Sequence, residues 1–216
     1  MARLKRPQWQ VEERRQKIFQ ATLELFDREG FQEVSMRKIA QRARCSPTTI
    51  YNYYPSKDSL YLDVLKRGFE ILYDLLSQQP SAENPLQTIR RFTQTFLWFS
   101  QEYPHYYDLM FSWPVPKFLD YVGTPLQDKA WEEKAVALRS LTLLEDVITQ
   151  GVIQGLFRQN LDVAAQGRLL LGLCHGIIAL HRAHIWPELD TEFPELYHTA
   201  VENFLAGLLA NPSEGL

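Results

Sequence analysis

The spacing of apolar residues predicts α-helix along almost the whole chain. Apolar side chains recur every three or four residues, and no segment shows the period of two that marks a half-buried strand. The sequence therefore predicts an all-α protein of about nine helices. The predicted helices cover residues 11–29, 36–43, 47–54, 57–79, 85–103, 104–111, 127–158, 163–185 and 194–210. The residues predicted to cap helix starts are Ser35, Ser46, Ser56, Asn84 and Asp162, and those predicted to end helices are Gly30 and Pro187.

The segment RCSPTTIYNYYPSKD at residues 44–58 contains a short helix of unusual composition. Pro47 occupies its first position, where a missing N–H costs nothing, and at about 100° per residue Ile50 and Tyr54 share the inner side. The other side carries Thr48, Thr49, Asn52 and Tyr53, with Tyr51 at the border. A three-residue turn joins this helix to the preceding one, which makes a candidate helix-turn-helix. Threonine and asparagine can read base edges in the major groove, and tyrosine hydroxyls can bind phosphates.

The distribution of charge supports this interpretation. Residues 1–57 contain 12 Lys and Arg against 6 Asp and Glu, whereas the remainder contains 11 against 20. A basic head suits a polyanion such as DNA. Ser56 and Lys57 begin the next helix, whose N-terminus can hold a phosphate, and Arg3, Lys5 and Arg6 form a candidate DNA-binding arm. The alternative is that the tyrosines are core residues and the basic residues form a solvated face; for Tyr54 we expect a core position.

Residues 18–65 closely resemble the DNA-binding domain of TetR-type (TetR/AcrR) transcriptional regulators. The matching features are A-x-x-L-F-x-x-x-G-F, S-M-R-x-I-A, S-x-x-T-I-Y and Y-P-S-K-D-x-L. The resemblance implies a homodimer that binds a palindromic operator, usually as a repressor released by a small ligand. The DNA-binding residues predicted from the match and from the turn are Arg44, Ser46, Pro47, Thr48, Thr49, Tyr51, Asn52, Tyr53 and Lys57. The family usually has glycine where this chain has Arg44, so a positive φ there would strain the backbone.

The rest of the chain is predicted to be a helical bundle for ligand binding and dimerisation. Its segment FLWFSQEYPHYYDLMFSWP is richer in aromatic residues than simple packing needs. Such side chains can line an apolar cavity between helices. The predicted ligand-binding residues are Phe92, Phe96, Phe99, Tyr103, Tyr107, Phe111, Trp113 and His175. The alternative is an ordinary aromatic core.

Two C-terminal helices carry a candidate dimer interface. Small residues that permit close helix approach recur along the penultimate helix, and apolar residues recur at matching spacing along the last. The predicted interface residues are Gly172, Gly176, Ala179, Ala183, Leu196, Ala200, Phe204 and Leu208. The alternative is that both strips pack within one chain.

Other chemistry finds little support in the sequence. Cys174, His181 and His184 could ligate zinc or copper, but no second tightly spaced ligand pair accompanies them, so we predict neither metal nor cofactor. Phosphate-loop, nucleophile-elbow and zinc-protease motifs are missing, so an enzyme is not expected. The longest apolar run, residues 169–180, is shorter than a membrane span, and two distant cysteines fit a reducing compartment, so we expect a cytoplasmic protein without membrane contact.

These observations predict a DNA-binding domain at residues 1–58 and a ligand-binding and dimerisation domain at residues 59–216. The expected partners are double-stranded DNA with a palindromic operator, a second copy of the chain and a small, apolar or aromatic effector. The alternative function is a DNA-binding regulator of the same fold that is controlled by protein partners and has no small-molecule ligand.

Overall fold

The computed structural model of the chain describes residues 7–78, 84–112 and 114–210. Its helices are α1 (Gln8–Glu33), α2 (Met36–Arg42), α3 (Pro47–Tyr51), α4 (Lys57–Ser77), α5 (Pro85–Glu102), α6 (Pro104–Tyr107), α7 (Gln127–Ile153), α8 (Val163–Arg182), α9 (Ile185–Glu188) and α10 (Phe193–Leu208). A π-helical turn, Asp108–Ser112, follows α6, and a 3₁₀ turn, Phe118–Tyr121, precedes α7. The described ranges contain no β-strand, so the all-α prediction is confirmed.

The predicted N-caps are confirmed. Ser35, Ser46 and Ser56 each accept a hydrogen bond from the backbone N–H three residues later, at 3.3, 3.0 and 3.0 Å. Asn84 accepts from the N–H of Leu86 at 2.9 Å, and Asp162 accepts from the N–H of Ala165 at 3.0 Å. These bonds satisfy N–H groups that have no partner within the helix, so each helix begins where the sequence indicates.

Gly30 interrupts α1 near its C-terminal end. Its φ of 78° and ψ of 160° fall in a region that essentially only glycine adopts. The continuous helix therefore ends before Gly30, as predicted, and a further turn places Phe31 in the core. This turn sets the position of the α1 end relative to the start of α4.

Four predicted helix ends are wrong, since the helices predicted to reach residues 54 and 111 end at Tyr51 and Tyr107, and two later helices also end early. The helix predicted to reach residue 158 ends at Ile153, because the chain turns at Gly155 (φ 74°) and buries Phe157, which bridges Leu209. The helix predicted to reach residue 185 ends at Arg182, and a short helix that was not predicted, α9, follows. Pro187 lies inside α9, where it is tolerated because N–H groups in a first turn need no helical partner.

The chain forms two compact units. The N-terminal unit contains residues 1–68 and 108–134, and the C-terminal unit contains residues 69–107 and 135–216. Ile18, Phe26, Ile39 and Ile50 are fully or almost fully buried in the first unit. In the second unit the most buried side chains include Ile89, Phe99, Ile148, Phe157 and Leu205. This division cuts through α4 and α7, and the domain boundary at residues 58 and 59 remains a prediction from sequence.

Candidate DNA-binding surface and effector region

Helix α3 is anchored on one side and open on the other. Ile50 and Tyr54 are 0% and 1% exposed, which confirms the core position expected for Tyr54. Ser46 begins the helix and also hydrogen-bonds the Thr49 hydroxyl at 2.9 Å. The residues directed to solvent are Pro47, Thr48, Tyr51 and Asn52, whereas Thr49 and Tyr53 are half-buried. The exposed set forms the outer face of α3.

The turn between α2 and α3 is held by two backbone hydrogen bonds. The N–H of Arg44 donates to Gln41 O at 3.1 Å, and the N–H of Cys45 donates to Ala40 O at 2.9 Å. Arg44 has φ 51°, so the residue that replaces the family's usual glycine is in the left-handed conformation. The sequence predicts backbone strain if φ of Arg44 is positive, and φ is positive. The Arg44 side chain is exposed beside α3.

Basic residues of α2 differ in how they are engaged. Lys38 is paired with Glu29 at 2.6 Å, and Arg42 is paired with Glu24. Arg37 is exposed, as is Arg44, and neither makes an ion pair within the described part of the chain. Arg37 is thus a candidate phosphate contact that the sequence reasoning did not include. Its position on the first helix of the helix-turn-helix, the helix that crosses the DNA backbone, was the available signal.

Lys57 has a structural role that the sequence did not predict. Its ammonium donates to Phe31 O at 2.7 Å and to Gln32 O at 3.5 Å, and it lies 4.3 Å from the centroid of the Phe31 ring. Lys57 therefore holds the end of α1 against the start of α4. An ammonium has three donors, so a phosphate contact remains compatible with these bonds and stays a prediction.

A polar network fixes the first turns of α4 within the N-terminal unit. The Tyr61 hydroxyl donates to Pro116 O at 2.8 Å, and the Tyr121 hydroxyl donates to Asp58 at 3.0 Å. Lys129 donates to Ser59 at 2.9 Å and is paired with Asp63 at 2.8 Å. Residues 52–56 join α3 to this fixed part of α4.

Glu133 is a buried carboxyl group beside this network. It is 6% exposed, and burial raises its pKa to about 7, partly opposed by the Lys117 ammonium. Burial together with the neighbouring charges of Glu133, Asp120 and Asp58 also raises the pKa of Tyr61. The N-terminal unit therefore contains a carboxyl group that changes charge near neutral pH.

The residues predicted to line a ligand cavity are mostly packed together in the C-terminal unit. Phe96 contacts Tyr107 with ring centroids 5.7 Å apart, and Phe99 stacks on Tyr103 at 5.4 Å. The Tyr107 hydroxyl and Nδ1 of His175 are hydrogen-bonded at 2.8 Å. Burial lowers the pKa of His175, which favours its neutral form.

The remaining predicted ligand residues are not part of these contacts. Phe92 is buried on α5, whereas Phe111 belongs to the N-terminal unit, and Trp113 lies outside the described residues. The Arg182 guanidinium lies 5.6 Å from the Tyr107 ring centroid and donates to Ser100 O at 3.2 Å. Phe96, Tyr107 and His175 are thus linked by contacts through Tyr107, and these three residues are called the aromatic cluster.

The small residues predicted for the dimer interface lie on an open strip of α8. Gly172 and Ala183 are exposed, Gly176 and Ala179 are half-exposed, and a methyl group added at either glycine would meet no atom within 4 Å. Two exposed leucines that were not predicted, Leu169 and Leu180, extend the same strip.

On α10 the predicted interface residues divide. Leu196, Ala200 and Phe204 are partly exposed, whereas Leu208 is 1% exposed and packs inside its own chain. We therefore leave Leu208 out of the accessible strip. Its burial follows from the turn after α10, where the backbone of Leu208 accepts a hydrogen bond from Arg158 N–H at 2.9 Å.

The length and composition of α8 would allow it to cross a membrane, and among the described residues this holds for α8 alone. Its most apolar window has a mean hydropathy of 1.5, and 28% of that window is buried. The sequence argument considered only the uninterrupted apolar run, whereas the helix has 20 residues, so the argument from length is wrong. The core helix of a soluble protein and a signal sequence meet the same criterion.

The cysteine and the two histidines considered as metal ligands have different surroundings. Cys174 is buried on α8, and burial raises the pKa of its thiol to about 11. His181 stacks on Phe193 at 3.8 Å, and His184 is exposed. Within the ranges that the structure describes, no three His, Cys, Asp or Glu side chains are grouped to hold a metal ion.

A capped helix-turn-helix in a basic, all-α unit, followed by a second helical unit, is the architecture of a DNA-binding regulator. Residues 18–64 match the family model described as bacterial regulatory proteins, tetR family, and residues 89–204 match the tetracyclin repressor-like C-terminal domain. The chain belongs to the tetR family of bacterial regulatory proteins. It is therefore a DNA-binding regulator by class and not an enzyme.

Similar proteins are regulators of the same class. The chain is 40% identical to the HTH-type transcriptional repressor KstR of Rhodococcus jostii over 78 residues, or 36% of each chain. It is 25% identical to the HTH-type transcriptional repressor NicS of Pseudomonas putida over 177 residues, 77% of this chain and 76% of NicS. The chain thus spans about a third of the length of KstR.

A solved structure supports the fold over both units. The regulator FadR of Bacillus subtilis, in complex with stearoyl-CoA, has a TM-score of 0.69 and 14% identity. The match covers 89% of this chain and 98% of FadR. At this identity the likeness establishes the fold.

Proposed function

We propose that the protein is a cytoplasmic, homodimeric transcriptional repressor that binds a palindromic DNA operator and is released by a small apolar or aromatic ligand. The observation that carries this proposal is the outer face of α3. Thr48, Tyr51 and Asn52 are exposed on a helix too short to contribute much to packing, while Ile50 and Tyr54 anchor it in the core. An exposed polar face on an anchored helix suits insertion into the major groove.

Within this face, each side chain has a proposed contact. Asn52 can bond an adenine edge with both amide groups, and the Thr48 methyl can contact a thymine methyl. The hydroxyls of Tyr51 and Tyr53 reach phosphates, which fixes the register without reading sequence. Arg37, on α2, adds a phosphate contact where that helix crosses the backbone.

The helix-turn-helix is flanked by two further candidates for phosphate binding. Arg44 is exposed in the turn, and the N-terminus of α4 offers free N–H groups beside Lys57. Because these groups bind the charged backbone, they contribute affinity to every DNA sequence alike. Base preference therefore depends on α3.

Homodimerisation is supported by the exposed strip of α8. An apolar helix that is only 28% buried in its own chain exposes surface that a partner would cover. Glycines at 172 and 176 would let the same helix of a second copy approach closely. We expect Gly176→Leu to leave the chain folded, because nothing in the chain lies within 4 Å of the added Cβ, and to convert dimers to monomers in sedimentation. A dimer of unchanged stability would place the interface elsewhere.

Release by a ligand is supported by the aromatic cluster and its neutral histidine. A ligand inserted beside Tyr107 and His175 would find apolar ring surface and a hydrogen-bonding pair. FadR, which shares the fold, was solved with stearoyl-CoA, an apolar chain on a polar carrier. Helix α4 continues from the N-terminal unit into the C-terminal unit, so a shift of α4 would alter the spacing of two α3 helices in a dimer. Half-sites lie about 34–36 Å apart or at multiples of this distance, so a small misfit weakens binding.

The second candidate function is a regulator of the same fold that responds to protein partners. Among the described residues, Phe96, Phe99 and Tyr107 are densely packed and do not surround a large cavity, and this packing favours the second function. A thermal-shift screen with acyl, aromatic and cationic compounds separates the two, because a ligand of the folded state raises the melting temperature. Shifts with none of these compounds would favour the protein-partner function.

The experiment that tests DNA binding is selection of bound duplexes from a random pool. We expect an enriched palindrome with two half-sites separated by about one helical turn or a multiple of it. Enrichment of a single asymmetric site would contradict the dimeric arrangement. No enrichment at low salt, where phosphate contacts are strongest, would contradict the proposed function.

A further inference from the structure

We propose that an open groove on the outside of α5 binds a small, flat aromatic monocarboxylate. The groove has a volume of about 390 Å³, and none of its lining residues belongs to the helix-turn-helix or to the aromatic cluster. It is lined by Leu75, Arg91, Gln94, Thr95 and Trp98. This proposal goes beyond the proposed function, because it needs neither DNA binding nor dimerisation.

The groove is formed by the face of α5 that the core does not use. Arg91, Gln94, Thr95 and Trp98 follow one another at spacings of three, one and three residues, so they share one side of the helix. The opposite side packs into the core through side chains that include Phe92 and Phe96. Leu75, in the last turns of α4, closes the groove from a second helix. These groups are therefore available to a ligand without loss of core packing.

The charges and polarity of the lining specify the ligand class. Of the five lining residues, Arg91 is the charged one, and Gln94 and Thr95 are neutral hydrogen-bonding groups. Arg91 has another interaction within the chain, but a guanidinium offers five N–H donors and binds carboxylates in a bidentate fork. The lining contains no carboxylate that would repel a negatively charged ligand.

Trp98 supplies the surface on which a flat ring would stack. The indole is 44% exposed, and its edge contact with Tyr103, at 5.9 Å between centroids and 72° between planes, holds its orientation. Aromatic rings pair favourably in offset stacks with centroids about 4.5–7 Å apart. A ligand ring on Trp98 would also cover Leu75, which removes apolar surface of both residues from water.

The size of the groove limits the ligand. Small-molecule sites usually have volumes of about 300–1,000 Å³, and this groove lies near the lower end of that range. Its open side leaves part of the ligand in water, so the affinity is expected to be modest, with a Kd of about 0.1–1 mM. A two-ring carboxylate such as 2-naphthoate fits the stated class.

The test follows the indole N–H signals of the whole protein by NMR while 2-naphthoate is added to a few millimolar. The chain has five tryptophans, and loss of one signal in Trp98→Leu assigns Trp98. We expect the Trp98 signal to shift with saturation, and the neutral analogue 2-naphthamide to bind at least about tenfold more weakly, because it lacks the charge that pairs with Arg91.

Two variants and two controls locate the site. Arg91→Gln and Trp98→Leu should each weaken 2-naphthoate binding at least about tenfold, measured in all variants by the NMR signals of 2-naphthoate itself, since Trp98→Leu lacks the reporting indole. Arg168→Gln and Trp131→Leu, which change an exposed arginine and an exposed tryptophan elsewhere, should leave it within about twofold. Equal binding to the wild type and to Trp98→Leu would overturn the proposal, as would no shift of the Trp98 signal. The Trp98 variant also keeps the test valid should Arg91→Gln fail to fold.

Discussion

Substitutions of Arg44 can measure backbone strain and DNA affinity separately at one position. It adopts φ 51° in the turn between α2 and α3, and its side chain is exposed. Replacing it with glycine removes both the Cβ that makes this conformation costly and the charge. Replacing it with alanine removes the charge and keeps the Cβ. The two variants therefore distinguish the two contributions.

The magnitude follows from two opposing effects. A residue with a Cβ in the left-handed conformation costs about 1–2 kcal/mol. Glycine also makes the unfolded chain more flexible, which lowers the free energy of unfolding by about 0.4–1 kcal/mol. We therefore expect Arg44→Gly to stabilise the protein by about 0.5–1 kcal/mol, or a rise of about 1–4 °C in Tm for a chain of this size. Arg44→Ala should give no such gain.

DNA binding should respond differently. If Arg44 contacts a phosphate, Arg44→Gly and Arg44→Ala both lower affinity for all duplexes, and the slope of log K against log salt becomes shallower by about 0.9. Arg44→Lys should retain the slope, and Arg168→Ala, which removes an exposed arginine of α8, should not change it. A Tm lowered by Arg44→Gly would refute the strain, and an unchanged slope in Arg44→Ala would refute the phosphate contact.

The other predictions concern α3, α4 and α7. Asn52→Ala should reduce preference at one base pair by about 1–3 kcal/mol in binding titrations, and a uniform loss over all sequences would refute its reading role. Lys57→Ala should lower the free energy of unfolding by about 1–2 kcal/mol, because it removes the bonds to Phe31 and Gln32, and unchanged stability in denaturant titrations would contradict that role. Tyr54→Phe should raise stability by about 1 kcal/mol, because the buried Tyr54 hydroxyl has no hydrogen-bond partner among the described residues; a lower Tm would show a hidden partner. The pKa of Glu133 is raised to about 7 in the folded state from 4.5, so between these pH values the folded state binds a proton that the unfolded chain has lost. The free energy of unfolding should therefore fall by up to about 3 kcal/mol as pH rises from 4.5 to 7. Glu133→Gln should abolish this fall, which is measured as Tm against pH.

The local structure of the N-terminal unit could be predicted because it depends on short-range interactions. Ser46 and Pro47 specify the start of α3 through one cap bond and one fixed φ, both of which depend on neighbouring residues alone. The positive φ of Gly30 and Arg44 could likewise be anticipated, the first from the residue type and the second from the resemblance to a family that has glycine there.

Long-range contacts could not be predicted in the same way. Tyr61 bonds Pro116, which is 55 residues away, and no periodicity in the sequence connects them. The same applies to Lys57, since resemblance suggested a phosphate contact, whereas its bonds to the α1 end depend on the turn at Gly30. Helix α9 was missed because Pro187 usually marks a helix end, and nothing local indicated that His184 would adopt φ 58° and start a new turn.

The central claim is that the outer face of α3 reads base edges while other groups hold the DNA backbone. The most direct measurement compares the affinity for the selected operator with that for a scrambled duplex, in the wild type and in a Thr48→Ala, Asn52→Ala double variant. We expect the ratio of the two affinities to fall at least about tenfold in this variant, with the affinity for the scrambled duplex unchanged. A double variant with exposed Thr142→Ala and Asn160→Ala should keep the ratio. A ratio preserved without the Thr48 and Asn52 side chains would contradict the claim.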